Sequence, residues 1–363
     1  MINPKEVLDA FHQTEPGSQQ LANEFLSPES VGRRFVLGRN DCSAALSKAI
    51  EIDGFVDDFC LPGMFWQGKP VLKGAEIPQN ALIVNCSFSI SPVSAAKRGA
   101  ELGRAIAYAD LCRVASELIE LPRFVAETRE DIQLHPTQWE AMSQSLADAE
   151  SVDVLNHLLQ YRLTGDYRFM SSYRVRFKDQ YFESFLNLGA GEVFVDCGGF
   201  DGDTTEEFIR RCPEYTKVYL FEPSSKNIEK AKLRLKDSHD IDFIELGISD
   251  TKGTLAFDPD AGSASSVDEL GSCKIAVTTL DDHIADKVTF IKMDLEGWET
   301  KALAGAQRHI LEDRPKLAIS VYHHPSDFWR VFDFVTGLRR DYKVYLRHYT
   351  EGWSETVMFF IPN

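Results

Sequence analysis

The stretch 193–205, VFVDCGGFDGDTT, leaves this chain little choice of fold. Its first residues alternate β-branched and aromatic side chains, which predicts a strand buried on both faces. A glycine-rich turn follows, and Glu206-Glu207-Phe208-Ile209 predicts a helix start. A strand, a tight turn and a helix N-terminus together make a site for a nucleotide-type ligand. The glycines let a ligand approach the backbone, and the helix end offers unpaired N–H groups. A dinucleotide fold requires G-x-G-x-x-G, but Cys197 stands two before Gly199, so only the last two glycines fit. The spacing present is Asp196-x-Gly198-x-x-x-Gly202. Parallel sheets also carry such turns for packing alone, so a purely structural reading stays open at this point.

The following strands narrow the reading. The run 217–223, KVYLFEP, is apolar and ends in Glu222-Pro223, one β-α-β unit downstream. A carboxylate there can accept both hydroxyls of a ribose. After a helix over 225–236, a third strand spans 241–250, and Ser249 at its end is expected beside the base. Runs 253–257 and 274–279 predict an inserted hairpin joined by the loop 262–266. The fourth core strand, 289–297, ends in a loop carrying Asp294 and Glu296, and a helix is predicted over 298–311. The fifth, 316–322, carries His323 and His324 at its carboxyl end. A helix over 328–338 and an antiparallel hairpin, 342–349 with 356–361, close the chain.

Length and charge set outer bounds. At 363 residues two domains are the natural expectation, and 44% apolar with 26% charged residues suits a globular protein. No run approaches the roughly 18 apolar residues of a membrane span, and no signal peptide is read at the N-terminus. Seven cysteines without a C-x-x-C argue for free thiols in a reducing compartment, hence the cytoplasm. A net charge of −17 opposes a nucleic-acid partner.

The first 120 residues predict a smaller α/β unit. Strands are expected at 33–38, 52–58 and 81–86, with helices at 6–11, 42–50 and 95–111. The segments FVLG (35–38), GFVDD (54–58) and QGKPV (67–71) resemble the nucleotide-sugar-binding domain of sugar O-acyltransferases. That resemblance implies a Rossmann-like accessory domain in which Asp57 and Asp58 receive ribose hydroxyls. Where the family has a glycine-rich turn this chain has Arg39-Asn40-Asp41-Cys42, and Arg39 is the candidate contact to a diphosphate. A scaffold without a ligand is the other reading. Residues 121–185 predict a helical connector, with an apolar stripe at Val152, Leu155, Leu158 and Leu159. At its end Gln180-Tyr181-Phe182 either closes over a ligand or packs as a helix end.

From about residue 150 onward the chain resembles the FkbM-type methyltransferase family. The blocks that carry the resemblance, in order, are Gln180-Tyr181-Phe182, VDCGGFDGDT (195–204), Phe221-Glu222-Pro223, Thr279-Leu280-Asp281, IKMDLEGWE (291–299), LAGA (303–306), Arg314-Pro315 and YLRHY (345–349). It implies a Rossmann-like methyltransferase domain over 186–363 that uses S-adenosylmethionine to methylate a hydroxyl of a saccharide or sugar-bearing metabolite. Members often have an acid where Ser320 stands. The donor pocket is then expected from Asp196, Gly198, Gly199, Gly202, Asp203, Thr204, Glu222, Pro223, Ser249 and Asp294. An alcohol is a poor nucleophile, so a base or a metal is wanted as its proton leaves. Asp294 is the first catalytic candidate, followed by Glu296 and His323. Glu296 reads equally as a helix N-terminal acid, and the two histidines as a loop pair. Lys292 and Glu299 are expected to be structural, as a strand-end charge and a solvated helix acid. Asp281 and Asp294 with a neighbour could bind a divalent cation, but no metal-ligand spacing stands out and no site is assigned. A non-catalytic binding protein and an NAD-dependent oxidoreductase are the rival readings, and homo-oligomerisation stays open.

Overall fold

The computed structural model describes residues 3–11, 16–257 and 273–363, so the expected loop at 262–266 lies outside the described residues. The chain divides into two compact units, Met1–Leu134 with Asp153–Val175 and Tyr349–Ser354, and His135–Val152 with Arg176–His348 and Glu355–Asn363. The residues expected as a connector therefore belong partly to each.

The first unit is built on a six-stranded sheet. Its strands are β1 (Arg34–Leu37), β2 (Gly54–Val56), β3 (Phe65–Trp66), β4 (Lys69–Leu72), β5 (Leu82–Asn85) and β6 (Arg104–Ala107), in the order β3-β4-β2-β1-β5-β6. All neighbours run parallel except the short β3–β4 hairpin. Val36, Phe55, Leu82 and Val84 bury one face of this sheet against Leu46 and Leu111. The helix expected over 95–111 is interrupted: Pro92–Leu102 is helical, β6 follows, and Tyr108–Val114 is a second helix. Gly103 causes the break. A Cβ there would stand 2.5 Å from the Ala81 carbonyl oxygen, so only glycine lets the chain turn into β6 beside β5.

The second unit carries a seven-stranded sheet in the order β15-β16-β14-β13-β7-β8-β9. The strands are β7 (Val193–Cys197), β8 (Lys217–Phe221), β9 (Ile241–Ile244), β13 (Phe290–Met293), β14 (Lys316–Ser320), β15 (Tyr342–His348) and β16 (Thr356–Pro362). The five central strands run parallel and the closing hairpin antiparallel, as the sequence predicts. From β7 the chain winds through β8 to β9, then returns to β13 on the other side of β7. The carboxyl ends of β7 and β13 therefore flank a topological switch point, where open α/β sheets place their ligands.

Two elements differ from expectation. The strand expected over 241–250 bends after Ile244, and β10 (Gly247–Ile248) joins β11 (Gly253–Phe257) and β12 (Cys273–Thr278) in a separate small sheet. The helix expected over 298–311 is a short α-helix, Glu299–Ala304, then a π-turn, His309–Asp313. Asp281 is responsible, because its carboxylate accepts the amides of Arg308 and His309 at 2.8 and 3.2 Å and draws them off a continuous ladder. Asp281 is thereby committed to the backbone. Among the described residues no helix is long and apolar enough to cross a membrane.

One polar anchor ties residues 135–152 to β15. Arg347 donates to Asp148 at 2.7 Å and to the Ser151 hydroxyl at 2.9 Å, and its guanidinium lies 5.1 Å from the Phe185 ring. Burial alone would raise the Asp148 pKa, but Arg347 and Ser151 outweigh it and hold the carboxyl at about 2. A depressed carboxyl stabilises the fold above its ordinary titration range, and the contribution fades as pH falls toward the folded value. Asp148 is 34% exposed, so solvent discounts the effect. Replacing Asp148 with Asn is expected to cost about 1 kcal/mol at pH 7, with the gap to wild type narrowing at pH 3, as read by urea unfolding at both pH values.

Candidate active site

The donor side grows out of β7. Asp196, fully buried, faces Lys292 of the adjacent β13, with the ammonium 3.0 Å from Oδ1, and accepts the Thr205 hydroxyl at 2.8 Å. The same ammonium donates to the Gly198 carbonyl at 2.8 Å. Burial alone would lower the Lys292 pKa, but the charges of Asp196 and Asp294 keep it above its ordinary value. Lys292 is thus no loose strand-end charge; it pins the strand that leads into the turn.

Gly198 and Gly202 both adopt left-handed φ, +80° and +84°. What crowds their α-carbons is the protein. A Cβ at Gly198 would lie 2.1 Å from the Asp294 carbonyl oxygen, and one at Gly202 would lie 3.1 Å from Ala231 Cβ. At Gly199 it would meet the Leu220 side chain at 2.5 Å. On the side of their α-hydrogens these glycines also serve the fold, since a side chain at Gly198 or Gly199 would collide with the protein itself. Gly202 then caps the helix Asp203–Arg211, whose first turn carries Asp203, and the Asp203 carboxylate accepts the Thr204 amide at 2.7 Å. Burial raises the Asp203 pKa.

Glu222 follows β8 and folds back over this turn. Its Oε2 accepts the Phe200 amide at 3.1 Å, and its Oε1 accepts the Ser224 amide at 2.9 Å, just past Pro223. Burial raises its pKa against those bonds. Ser249 is placed differently from expectation. Its amide donates to Thr278, its hydroxyl donates to Asp250 at 3.1 Å and accepts from Trp298 at 3.2 Å, and Gly305 crowds its carbonyl. It is a buried joint between β10 and the loop after β13.

A polar cluster stands at the carboxyl ends of β13 and β14. Asp294 accepts the Tyr181 hydroxyl at 2.7 Å and lies 3.4 Å from the Tyr322 hydroxyl. Tyr181 also meets Ser320 at 3.2 Å and receives Gln180, which in turn donates to Glu355 at 2.6 Å. Burial, then the charge of Asp294, pushes the Glu355 pKa up to about 7. His323 sits among three carboxylates: Nε2 is 3.5 Å from Asp294 and 3.3 Å from Glu296, and Nδ1 is 3.2 Å from Glu299. Burial would lower its pKa, but Glu299, Glu296 and Asp294 together hold it well above the ordinary histidine value. The His324 ring packs against Gly297, where a Cβ would stand 2.8 Å from its Nε2, and the His324 amide donates to Asp327 at 2.7 Å.

The catalytic candidates Asp294, Glu296 and His323 lie side by side, His323 Nε2 within 3.5 Å of both carboxylates. Glu299 is corrected from solvated to buried, 1% exposed, because its Oε1 folds back onto the amides of Leu295 and Gly297 at 2.7 and 3.4 Å. Gln180-Tyr181 takes the ligand-facing alternative only in part, as a brace behind Asp294. Tyr322 and Glu355 were not singled out from the sequence. Tyr322 adjoins the histidine pair and so carried a signal, whereas Glu355 carried none.

In the first unit, Arg39 pairs with Asp57 at 2.7 Å, and Asp58 with Arg98 at 2.8 Å. Asn40 caps the helix Asp41–Ala49. The groups expected to meet a nucleotide are thus paired with one another.

The sheet order, with the glycine turn at β7 and the acidic edge at β13, is a Rossmann-like fold similar to that of methyltransferases. Residues 196–344 match the family model of the methyltransferase FkbM domain. The crystal structure of methyltransferase FkbM from Methylobacillus flagellatus is similar in fold, with a TM-score of 0.73 at 24% identity over 99% of this chain and 100% of that one. An rRNA methylase from Streptococcus thermophilus reaches 0.34 at 18% identity over 49% of this chain and 92% of its own. Aeropyrum pernix fibrillarin, solved with natively bound S-adenosyl-L-methionine, reaches 0.33 at 13% over 51% and 71%. No curated protein matches the sequence significantly.

Replacing Asp196 with Asn leaves the Lys292 ammonium buried without its counter-charge and is expected to cost roughly 3 kcal/mol in denaturant unfolding. The double replacement Asp196→Leu with Lys292→Met is expected to cost less than the sum of the single ones, a coupling measured by a double-mutant cycle.

Proposed function

We propose that the C-terminal domain transfers the methyl group of S-adenosylmethionine to a hydroxyl oxygen of a saccharide or sugar-bearing metabolite. The observation that carries the reading is Asp294, a carboxylate 23% exposed at the carboxyl end of β13, steadied from behind by the Tyr181 hydroxyl. It stands across the switch point from the donor turn, where an acceptor oxygen would meet the methyl group. The sugar acceptor class rests on the FkbM-type blocks of the sequence.

On the donor side, Gly198, Gly199, Gly202, Asp203 and Thr204 line the turn, with Pro223 fixing the backbone after Glu222. Each Glu222 oxygen holds a backbone amide and keeps lone-pair capacity for a ribose hydroxyl. Methyl transfer is an in-line displacement, so the protein mainly aligns acceptor oxygen, methyl carbon and sulfur. The acceptor proton must leave as the bond forms. We assign its reception to Asp294 rather than His323, because an imidazole held protonated by three carboxylates has no lone pair to offer. Glu296 shapes the same edge. Where the resemblance leads one to expect an acid, Ser320 stands, and the Tyr181–Gln180 chain links it to the carboxylate of Glu355.

For the first unit we favour an accessory scaffold, on the observation that Arg39, Asp57, Asp58 and Arg98 satisfy one another. Described cysteines that are all unpaired thiols suit a reaction in the cytoplasm.

The test is labelled methyl transfer from S-adenosylmethionine to glycan extracts. Glu222→Ala is expected to weaken donor binding by roughly 1.5–3 kcal/mol, about 10- to 100-fold by calorimetry. Unchanged affinity would overturn the ribose assignment. Asp294→Asn is expected to lower turnover on an identified acceptor by about 10²- to 10⁴-fold, with donor affinity nearly retained. Wild-type turnover in that variant would remove Asp294 from the chemistry.

A further inference from the structure

We propose that Asp294, Glu299 and His323 form a binding site for one divalent first-row transition-metal ion at the edge of the acceptor side. One donor atom from each of the three lies within 4.8 Å of the others. Ligands around such an ion at about 2.0–2.2 Å stand roughly 3.0–3.5 Å apart. The Nε2–Asp294 contact of His323, 3.5 Å, falls in that range, while Glu299 approaches the ring at its other nitrogen, with Oε1 3.2 Å from Nδ1.

The carboxylates are not the whole argument. Neither ring nitrogen of His323 makes a hydrogen bond among the described residues, although its side chain is only 9% exposed. Carboxylate oxygens flank the nitrogens at ion-pair distance without lying on the N–H line. The Oε2 of Glu299 is likewise buried and without a hydrogen bond, because Oε1 takes both amide contacts. Buried polar atoms that stay unpartnered are uncommon and call for an explanation. One ion takes one ring nitrogen of His323, displacing the proton that the carboxylates hold there in the metal-free protein, while the other nitrogen keeps its proton facing a carboxylate. Oε2 of Glu299 is the free oxygen on the second ligand.

The remaining groups support the shell. The Tyr181 hydroxyl orients Asp294 at 2.7 Å, and the backbone of 295–297 orients Glu299, the outer contacts that metal ligands commonly carry. Two carboxylates and one imidazole suit Mn²⁺ or Zn²⁺ better than Mg²⁺ or Ca²⁺, which prefer oxygen alone. Asp294 is the most exposed of the three, at 23%, so the open side of the ion faces outward past it, where a hydroxyl oxygen can complete the coordination.

The test uses the full chain without donor or acceptor, so its result is separable from the methyl-transfer reading. Chelator-treated protein is titrated with Mn²⁺ by calorimetry, and the bound ion is examined by electron spin-echo spectroscopy for coupling to an imidazole nitrogen. One Mn²⁺ per chain with nitrogen coupling is expected, together with a rise in melting temperature by mass action. His323→Ala and Glu299→Gln are each expected to weaken binding by at least about tenfold, with circular dichroism checking that the variants fold. No Mn²⁺ or Zn²⁺ bound at millimolar concentration overturns the proposal and leaves His323 as an imidazolium held by carboxylates. Binding without nitrogen coupling in the wild type, or unaltered in folded variants, overturns it as well, and the spectroscopy decides even if a variant fails to fold.

Discussion

The contact between Asp196 and Lys292 governs the geometry of everything at the sheet edge. The two residues face each other in register on β7 and β13, the strands on either side of the switch point. A lysine so deeply buried is costly unless its charge is met, and here it meets one carboxylate and the carbonyls of Cys197 and Gly198. Those carbonyls belong to the donor turn, while the strand that carries Lys292 runs straight into Asp294. One ammonium therefore fixes the donor turn against the acceptor loop. Gly198 makes the approach tight enough for this, since its missing Cβ is where the Asp294 carbonyl stands.

Much of the second unit could be read from the sequence because its signals are local. The strand, turn and helix of 193–205 are specified within thirteen neighbouring residues, and the edge acids Glu222 and Asp294 sit at strand ends that hydrophobic runs already mark. The failures share a cause. Glu299 looks like an ordinary helix-start acid until its carboxylate turns back onto the loop amides, and Lys292 looks exposed until β7 is laid beside it. Glu355 precedes the last strand with nothing around it to suggest a buried carboxylate titrating near neutrality. Each depends on which element lies alongside, which periodicity does not encode. Ser249 fails the other way, because a strand end that looked ligand-facing is enclosed by Trp298 and Gly305. In the first unit the missed β6 turns on Gly103, whose importance lies in the neighbouring Ala81 carbonyl and not in its own surroundings in sequence.

Backbone strain concentrates at this same edge. Among the described residues, eight that are not glycine have positive φ, and Tyr181, Phe200, Glu296 and Glu355 are four of them. Such conformations cost on the order of 1–3 kcal/mol each and persist only where the surroundings over-determine them. Phe200 belongs to the donor turn. The other three aim a phenol and two carboxylates at one small region around Asp294, in orientations that relaxed backbone would not supply. The strain is tolerated because the sheet beneath is rigid and dry, with Phe194 and Phe290 stacked at 4.9 Å under the two strands that bear the site. Groups fixed in this way need little reorganisation when charge develops on an acceptor oxygen, which is how an enzyme with an already activated methyl donor gains most from its scaffold. The side chains that sequence reading missed are therefore mostly those that brace Asp294 and the turn after β7 from neighbouring elements.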